Sequence, residues 1–292
     1  VRIAVTGCEG QVVSSLLERG SLRGDLEVIA VGRPQLDLAQ PKTIFPALVS
    51  ARPDLVVSAA AYTAVDQAEV EPDLAFAVNE IGAGRVAAAA AKLGIPVIHL
   101  STDYVFDGGG ERPYVESSNT EPQNVYGASK LAGERAVAIA NSQHLILRTA
   151  WVYGPFGRNF VKSILRIAAD GDEISVVSDQ WGNPTSALDL ADAILYVAQM
   201  LKQRADVPFG IYHLAGTGTT NWSGFAKYIL ETSSRFGGPS ARVREIKTAD
   251  YPTKAVRPAN SRLSTELFAN DFGWTAPHWK SSVTETLERL LR

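Results

Sequence analysis

From Ile3 to Thr149 the chain repeats one pattern: a short, almost unbroken apolar run, a turn, then a stretch with helical spacing. The runs are Ile3–Thr6, Glu27–Val31, Asp54–Ser58, Ile95–Leu100 and Leu145–Thr149. Between them lie Gln11–Arg19, Pro41–Ser50, the alanine-rich Pro72–Leu93 and Gln123–Ala140. Runs that are apolar on both faces belong to strands covered on both sides, as in a parallel sheet. Repeated strand–helix–strand units with right-handed crossovers then predict an α/β fold, a Rossmann-type doubly wound parallel sheet. Gly94 is placed to cap the alanine-rich helix, and Pro41 stands in a first helical turn, where a missing N–H costs nothing.

The second half is less regular. Ser186–Leu201 reads as helix and Gly210–Leu214 as a strand that rejoins the sheet. Ala226–Glu231 and Ser282–Leu291 read as helices on either side of Arg242–Arg262, which is rich in proline and arginine. A length of 292 residues fits about two domains. The expected division is residues 1–152 with roughly 186–215 as a dinucleotide-binding domain, and roughly 153–185 with 216–292 as a smaller C-terminal substrate-binding lobe.

Charge excludes some partners. With 28 basic and 31 acidic residues the net charge is −3, which argues against general nucleic-acid binding. No apolar run approaches a membrane span, and the first residues show no charged-then-apolar leader. A single cysteine, Cys8, cannot form an intrachain disulfide and fits a reducing compartment, so the expected location is cytoplasmic.

Thr6-Gly7-Cys8-Glu9-Gly10-Gln11-Val12-Val13 follows the first strand, where glycines let backbone N–H groups and a helix N-terminus approach a pyrophosphate. Val13 replaces the frequent third glycine. The second strand ends in Gly32-Arg33 without the acid that binds a ribose 2′-hydroxyl, and Arg33 can pair with a 2′-phosphate. NADPH is therefore the expected cofactor, with NADH left open. Asp37 follows shortly and is a candidate for the adenine edge.

Tyr126 and Lys130 stand one helical turn apart, after a strand that ends in Ser101-Thr102-Asp103-Tyr104. A free phenol has a pKa near 10, too high for easy proton exchange at neutral pH. A cation at Lys130 is expected to lower it, making Tyr126 an acid/base while Thr102 hydrogen-bonds the same substrate oxygen. Of the four histidines His99 reads as packed within a strand, none has metal-ligand spacing, and no catalytic metal is expected.

These motifs resemble the extended short-chain dehydrogenase/reductase superfamily. Longer segments narrow the resemblance to the dTDP-4-dehydrorhamnose reductase family: Ala59–Asp66, Ser101–Gly108, Arg148–Gly154, Asp179–Thr185 and Arg257–Ser261. The resemblance implies reduction of the 4-keto group of dTDP-4-dehydro-L-rhamnose by NAD(P)H. It makes Tyr126 the proton donor, Lys130 its tuner and ribose ligand, and Thr102 the group that polarises the carbonyl. It places Gly7, Gly10, Gln11 and Val12 at the pyrophosphate, Ala60, Ala61, Tyr62 and Thr63 along the cofactor, and Asp37 and Leu38 near adenosine. Asp103 and Trp151 match sugar contacts, and an indole face suits a deoxysugar. Arg242–Arg262 carries six basic residues against two acidic, which suits a nucleotide diphosphate, with Arg257 the chosen candidate.

Two positions depart from the family pattern. Ser58 stands where asparagine is common, and Ser15 replaces a glutamate that bridges a metal-linked dimer in some members. A metal-bridged dimer is thus not expected, and a homodimer of another kind stays open. The competing readings are a nucleotide-sugar epimerase or dehydratase of the same fold, and a non-catalytic binding protein like the regulatory subunit of methionine adenosyltransferase. A dehydratase would add an Asp-Glu pair beside Thr102, where this chain has Asp103-Tyr104. A pure binding role would not require Thr102, Tyr126 and Lys130 together.

Overall fold

The computed structural model describes residues 1–204 and 206–292; residue 205, within the 186–215 segment assigned above, lies outside them. The first five apolar runs form strands β1 (Arg2–Thr6), β2 (Glu27–Val31), β3 (Leu55–Ser58), β4 (Val97–Thr102) and β5 (His144–Thr149). They alternate with α1 (Gln11–Ser21), α2 (Ile44–Ala51), α3 (Pro72–Lys92) and α4 (Val125–Ala140). The second half adds α5 (Phe160–Ala169), β6 (Glu173–Val177), α6 (Ala187–Gln203), β7 (Gly210–His213), α7 (Trp222–Arg235), β8 (Arg242–Ile246) and α8 (Trp279–Leu291).

Six strands make one sheet in the order β7-β5-β4-β3-β1-β2, with every pairing parallel. The segment read as a returning strand is β7, which joins the edge beside β5. Helices cover both faces. Val13 and Leu16 of α1 and the Leu190–Ala198 stretch of α6 pack on one. Ile44, Leu48, Ala83, Val86, Ala87, Ala90 and Val137 pack on the other. The chain leaves β1 towards β2 and returns to the opposite side with β3, so strand order reverses between β1 and β3. In open α/β sheets a crevice opens at such a point, beyond the strands' carboxyl ends.

A further apolar core gathers Tyr153, Val161, Ile164, Phe225, Ile229, Trp279, Val283 and Leu287 from α5, α7, α8 and the loop after β5. Beside it β6 and β8 pair in parallel, a two-stranded element that sequence reading left unassigned. Three of the six basic residues in Arg242–Arg262 have acidic partners in the fold. Arg242 and Arg244 both pair with Glu173 across the two strands, and Arg257 pairs with Asp66.

Helix α3 departs from the expected regular form. Its Ala77–Gly82 turn is π-helical, and its composition and length meet the threshold for a membrane span, at mean hydropathy 1.2. Asp73, Glu80 and Arg85 interrupt it, so it is not one unbroken apolar run. In this fold α3 lies in the helical layer, with Ala83, Val86, Ala87 and Ala90 buried against the sheet side. The widened turn aims Asn79 inward, a frequent role for π-turns near functional sites. Asn79 Oδ1 accepts from the Tyr62 backbone N–H at 2.8 Å, and Nδ2 donates to Tyr62 O at 3.0 Å and Ser129 Oγ at 2.9 Å. One buried amide thus ties the loop after β3 to α4.

Candidate active site

The carboxyl ends of β1, β3, β4 and β5 open into a cavity of about 650 Å³. Its lining brings together thirteen residues singled out in the sequence: Gly7, Gly10, Gln11, Val12, Arg33, Ala60, Ala61, Thr63, Thr102, Asp103, Tyr126, Lys130 and Trp151. An adjoining cavity of about 600 Å³ is lined by Gly7, Arg33, Asp37, Leu38, Ala60, Ala61 and Tyr62. Arg33 and the glycine loop border both. Arg257 stands apart in a third cavity of about 360 Å³, with Phe160, Ile164, Trp222 and Tyr251. Sequence reading missed Glu9, Thr149 and Arg158 in the first cavity and Leu74 and Val78 in the second. Glu9 and Thr149 stand inside quoted segments but were given no role, while Arg158, Leu74 and Val78 lie outside any short motif and only the fold brings them in.

The glycine loop is built for a close neighbour. Gly7 has φ +102°, which disfavours any side chain. Gly32 at the end of β2 admits none either, since a Cβ would sit 2.6 Å from Cys8 Sγ. Helix α1 starts at Gly10 with no side-chain cap and no acid in its first turn. Its N–H groups are left to a ligand, and its partial positive charge favours an anion. The Asp37 carboxylate, by contrast, is used locally: it accepts from Ala39 N at 3.0 Å and Gln40 Nε2 at 3.3 Å. Tyr62 donates its hydroxyl to Glu71 at 2.6 Å, which pushes the phenol up to about 12.

Helix α4 carries the tyrosine and the lysine. Asn124 caps it, accepting from Gly127 N at 2.8 Å while its amide donates to Val256 O at 2.8 Å, so one residue starts the helix and ties it to the C-terminal segment. Glycine is needed at 127, because a Cβ would lie 2.2 Å from Tyr104 O. That close approach sets Tyr126 edge-on to Tyr104, with ring centroids 5.7 Å apart. Thr102, at the end of β4, donates to Asp103 Oδ1 at 2.9 Å and accepts from Tyr104 N at 3.2 Å.

The electrostatics differ from expectation. Tyr126 is not lowered: burial pushes it up to about 12, Thr102 beside it pulls the other way, and Asp103 adds to the rise. Lys130, only 3% exposed, donates to Leu100 O at 2.6 Å and lies 3.4 Å from His99 Nε2. Burial pulls it down to about 8, opposed by Glu134 one turn further along α4. Burial outweighs the attraction that sequence spacing alone had been taken to imply. Asp103, also buried, rises to about 6 for the same reason, with Ser261 and Thr102 beside it pulling the other way. Its Oδ2 and the Thr149 Oγ1 are buried without a partner in the protein, and both residues line the first cavity.

Trp151 sits at φ +48° and stacks on Trp222, with ring centroids 3.5 Å apart and planes 6° from parallel. One indole face is therefore already covered. The stacked pair separates the first cavity, lined by Trp151, from the third, lined by Trp222.

The family model "RmlD substrate binding domain" matches residues 1–292. A dTDP-4-dehydrorhamnose reductase of Sinorhizobium fredii is 48% identical, covering 100% of this chain and 98% of its own. The chain belongs to the dTDP-4-dehydrorhamnose reductase family. Two solved structures of such reductases share the fold throughout. That from Clostridium acetobutylicum has a TM-score of 0.92 at 35% identity, covering 100% of both chains. That from Bacillus anthracis, in complex with NADP, has a TM-score of 0.91 at 34% identity, covering 99% of both chains. The family resemblance and the α/β fold read from the sequence are thereby borne out.

Proposed function

We propose that this chain reduces dTDP-4-dehydro-L-rhamnose to dTDP-L-rhamnose with NADPH, through Thr102, Tyr126 and Lys130. The observation that carries the reading is the single cavity in which the glycine loop meets these three side chains. The uncapped start of α1 and the side-chain-free Gly7 and Gly32 fit a pyrophosphate. Arg33, which borders both cavities, would pair with a 2′-phosphate, and Leu38, Tyr62 and the aliphatic part of the second cavity would take the adenosine. The bound cofactor supplies the hydride for the sugar C4.

The remaining chemistry falls to the protein. Thr102 and Tyr126 hydroxyls hydrogen-bond the C4 oxygen and draw charge onto it. Tyr126 then releases its proton to that oxygen. A phenol raised to about 12 is fully protonated at neutral pH, the state that a proton donor must start from. The Lys130 ammonium steadies the phenolate left behind and offers an N–H to a ribose hydroxyl. Asp103 Oδ2 can accept from a hydroxyl of the ligand, and the Thr149 hydroxyl can donate to or accept from one. Trp151, stiffened by Trp222, gives the sugar an apolar wall.

The dTDP part has its own place in this reading. The third cavity joins aromatic and aliphatic walls from Phe160, Ile164, Trp222 and Tyr251 to the polar Gln180, Thr253 and Arg257, as a nucleoside with an adjoining diphosphate requires. Arg257 would remain partly paired with Asp66 at 2.7 Å while it binds.

The test follows NADPH absorbance with dTDP-4-dehydrorhamnose. Turnover to the 4-hydroxy sugar is expected; NADPH binding without turnover would favour the non-catalytic reading. For the coenzyme, Arg33→Ala should raise KM for NADPH about tenfold and leave that for NADH near wild type, since only the phosphate contact is lost. Equal effects on both would reject the contact.

A further inference from the structure

The reaction just described leaves one buried titratable group unused. His99 lies mid-strand in β4, 1% exposed and in register with Ser58 of β3. Its Nδ1 is 3.1 Å from Ser58 Oγ, and its Nε2 is 3.4 Å from Lys130 Nζ. An ammonium has three N–H donors and no acceptor, so the ring nitrogen that faces it carries the lone pair. Burial and the Lys130 charge hold the imidazole well below its usual range, so the ring is neutral. Its one proton is then on Nδ1 and is donated to Ser58 Oγ.

We propose that His99 is a positioning residue for Lys130, fixed in the Nδ1–H tautomer by Ser58. Together with Leu100 O it takes two of the three ammonium protons and leaves the third for the cavity. Backbone carbonyl and imidazole set the direction of that last N–H, which a flexible four-carbon stem could not do alone. They also stabilise the charged form, because each acceptor offsets part of the burial cost. Ser58, where the family commonly has asparagine, is the partner that completes the arrangement in this chain.

Other charges near Lys130 come from several elements. Tyr126 and Glu134 share α4, Asp103 follows β4, and Arg148 on β5 is paired with Glu134 at 2.7 Å. Helix α3 offers the neutral Asn79 to Ser129, while its Asp73, Arg85 and Lys92 are exposed and Glu80 is half-buried. His99 is the neutral acceptor among them, so its removal changes hydrogen bonding without changing net charge.

The proposal rests on Lys130 serving the reaction, and the tests separate the two. In free protein labelled with 15N-histidine, the signal lost in His99→Gln identifies the ring. It is expected to show protonated Nδ1 and bare Nε2, and to stay neutral through about pH 6.5, the ordinary histidine range. Protonated Nε2, or titration in that range, would overturn the arrangement whatever the enzyme does. If wild type fails to reduce dTDP-4-dehydrorhamnose, the functional reading fails while the tautomer is still decided.

With turnover established, His99→Leu should lower kcat about tenfold and move the alkaline limb of its pH profile downward, with KM for the sugar nucleotide unchanged. His99→Gln, which puts an amide oxygen near the Nε2 position, should recover kcat to within about threefold. Should His99→Leu not fold, Ser58→Ala is expected to shift the same limb in the same direction by less. A folded His99→Leu with wild-type kcat and pH limb overturns the proposal. So does His99→Gln that is no better than His99→Leu.

Discussion

Tyr126→Phe should cut kcat by about 10²–10⁴-fold, the usual worth of a positioned general acid, while leaving NADPH affinity near wild type. The phenol hydroxyl is the one group lost, and the ring keeps its edge-on contact with Tyr104. The close seat of α4 on the Tyr104 backbone at Gly127 is also retained, so the helix should not move. Steady-state NADPH oxidation gives kcat, and fluorescence titration gives the affinity. Full activity in the variant would remove Tyr126 from the reaction. Because Tyr126 is raised by burial, its role as a donor needs no depressed pKa in the free protein.

The second large effect is on stability. Arg148 on β5 pairs with Glu134 on α4, through Nε at 2.9 Å and through its terminal nitrogen at 2.7 Å, and both side chains are about 3% exposed or less. Ser101 also donates to Glu134, and the Arg148 guanidinium stacks 5.1 Å from the Phe106 ring. Breaking such a pair leaves a buried charge without its partner, so Arg148→Met should cost about 3–5 kcal/mol. Urea denaturation followed by circular dichroism measures it. The double variant Arg148→Met with Glu134→Leu should recover much of the loss, since both charges are then gone. A single variant within about 1 kcal/mol of wild type would show that the pair is not buried as described.

Legibility followed range along the chain. Apolar runs and helical spacing act over five to twenty residues, and those parts of the sheet were read closely, down to Glu27–Val31 as a strand. The π-turn at Ala77–Gly82 was not legible; it lies where Gly133 and Gly84 let α3 and α4 approach closely, a contact that no local pattern encodes. The β6–β8 pair was missed because two short strands whose partners stand 69 residues apart, as Glu173 and Arg242 do, carry no mutual signal. The site residues were legible wherever a motif held them. Arg158 was not, since it reaches the cavity only through the turn of the chain after β5, and Thr149, though inside a quoted segment, carried no assigned role.

By itself the sequence determined the doubly wound sheet and the glycine loop at its switch point, and it supplied the three side chains proposed for the reaction. Those follow from periodicity, from glycine's missing Cβ and from the chemistry of phenol, ammonium and hydroxyl. Tertiary structure decided their protonation and their partners. Burial, which no local spacing encodes, raised Tyr126 and lowered Lys130. The same packing covered one face of Trp151 with Trp222 and drew Arg257 to Asp66 in a separate cavity. It also set His99 between Ser58 and Lys130. Charge and hydrogen-bond energies depend on what surrounds a group in space, and only the folded chain supplies those surroundings.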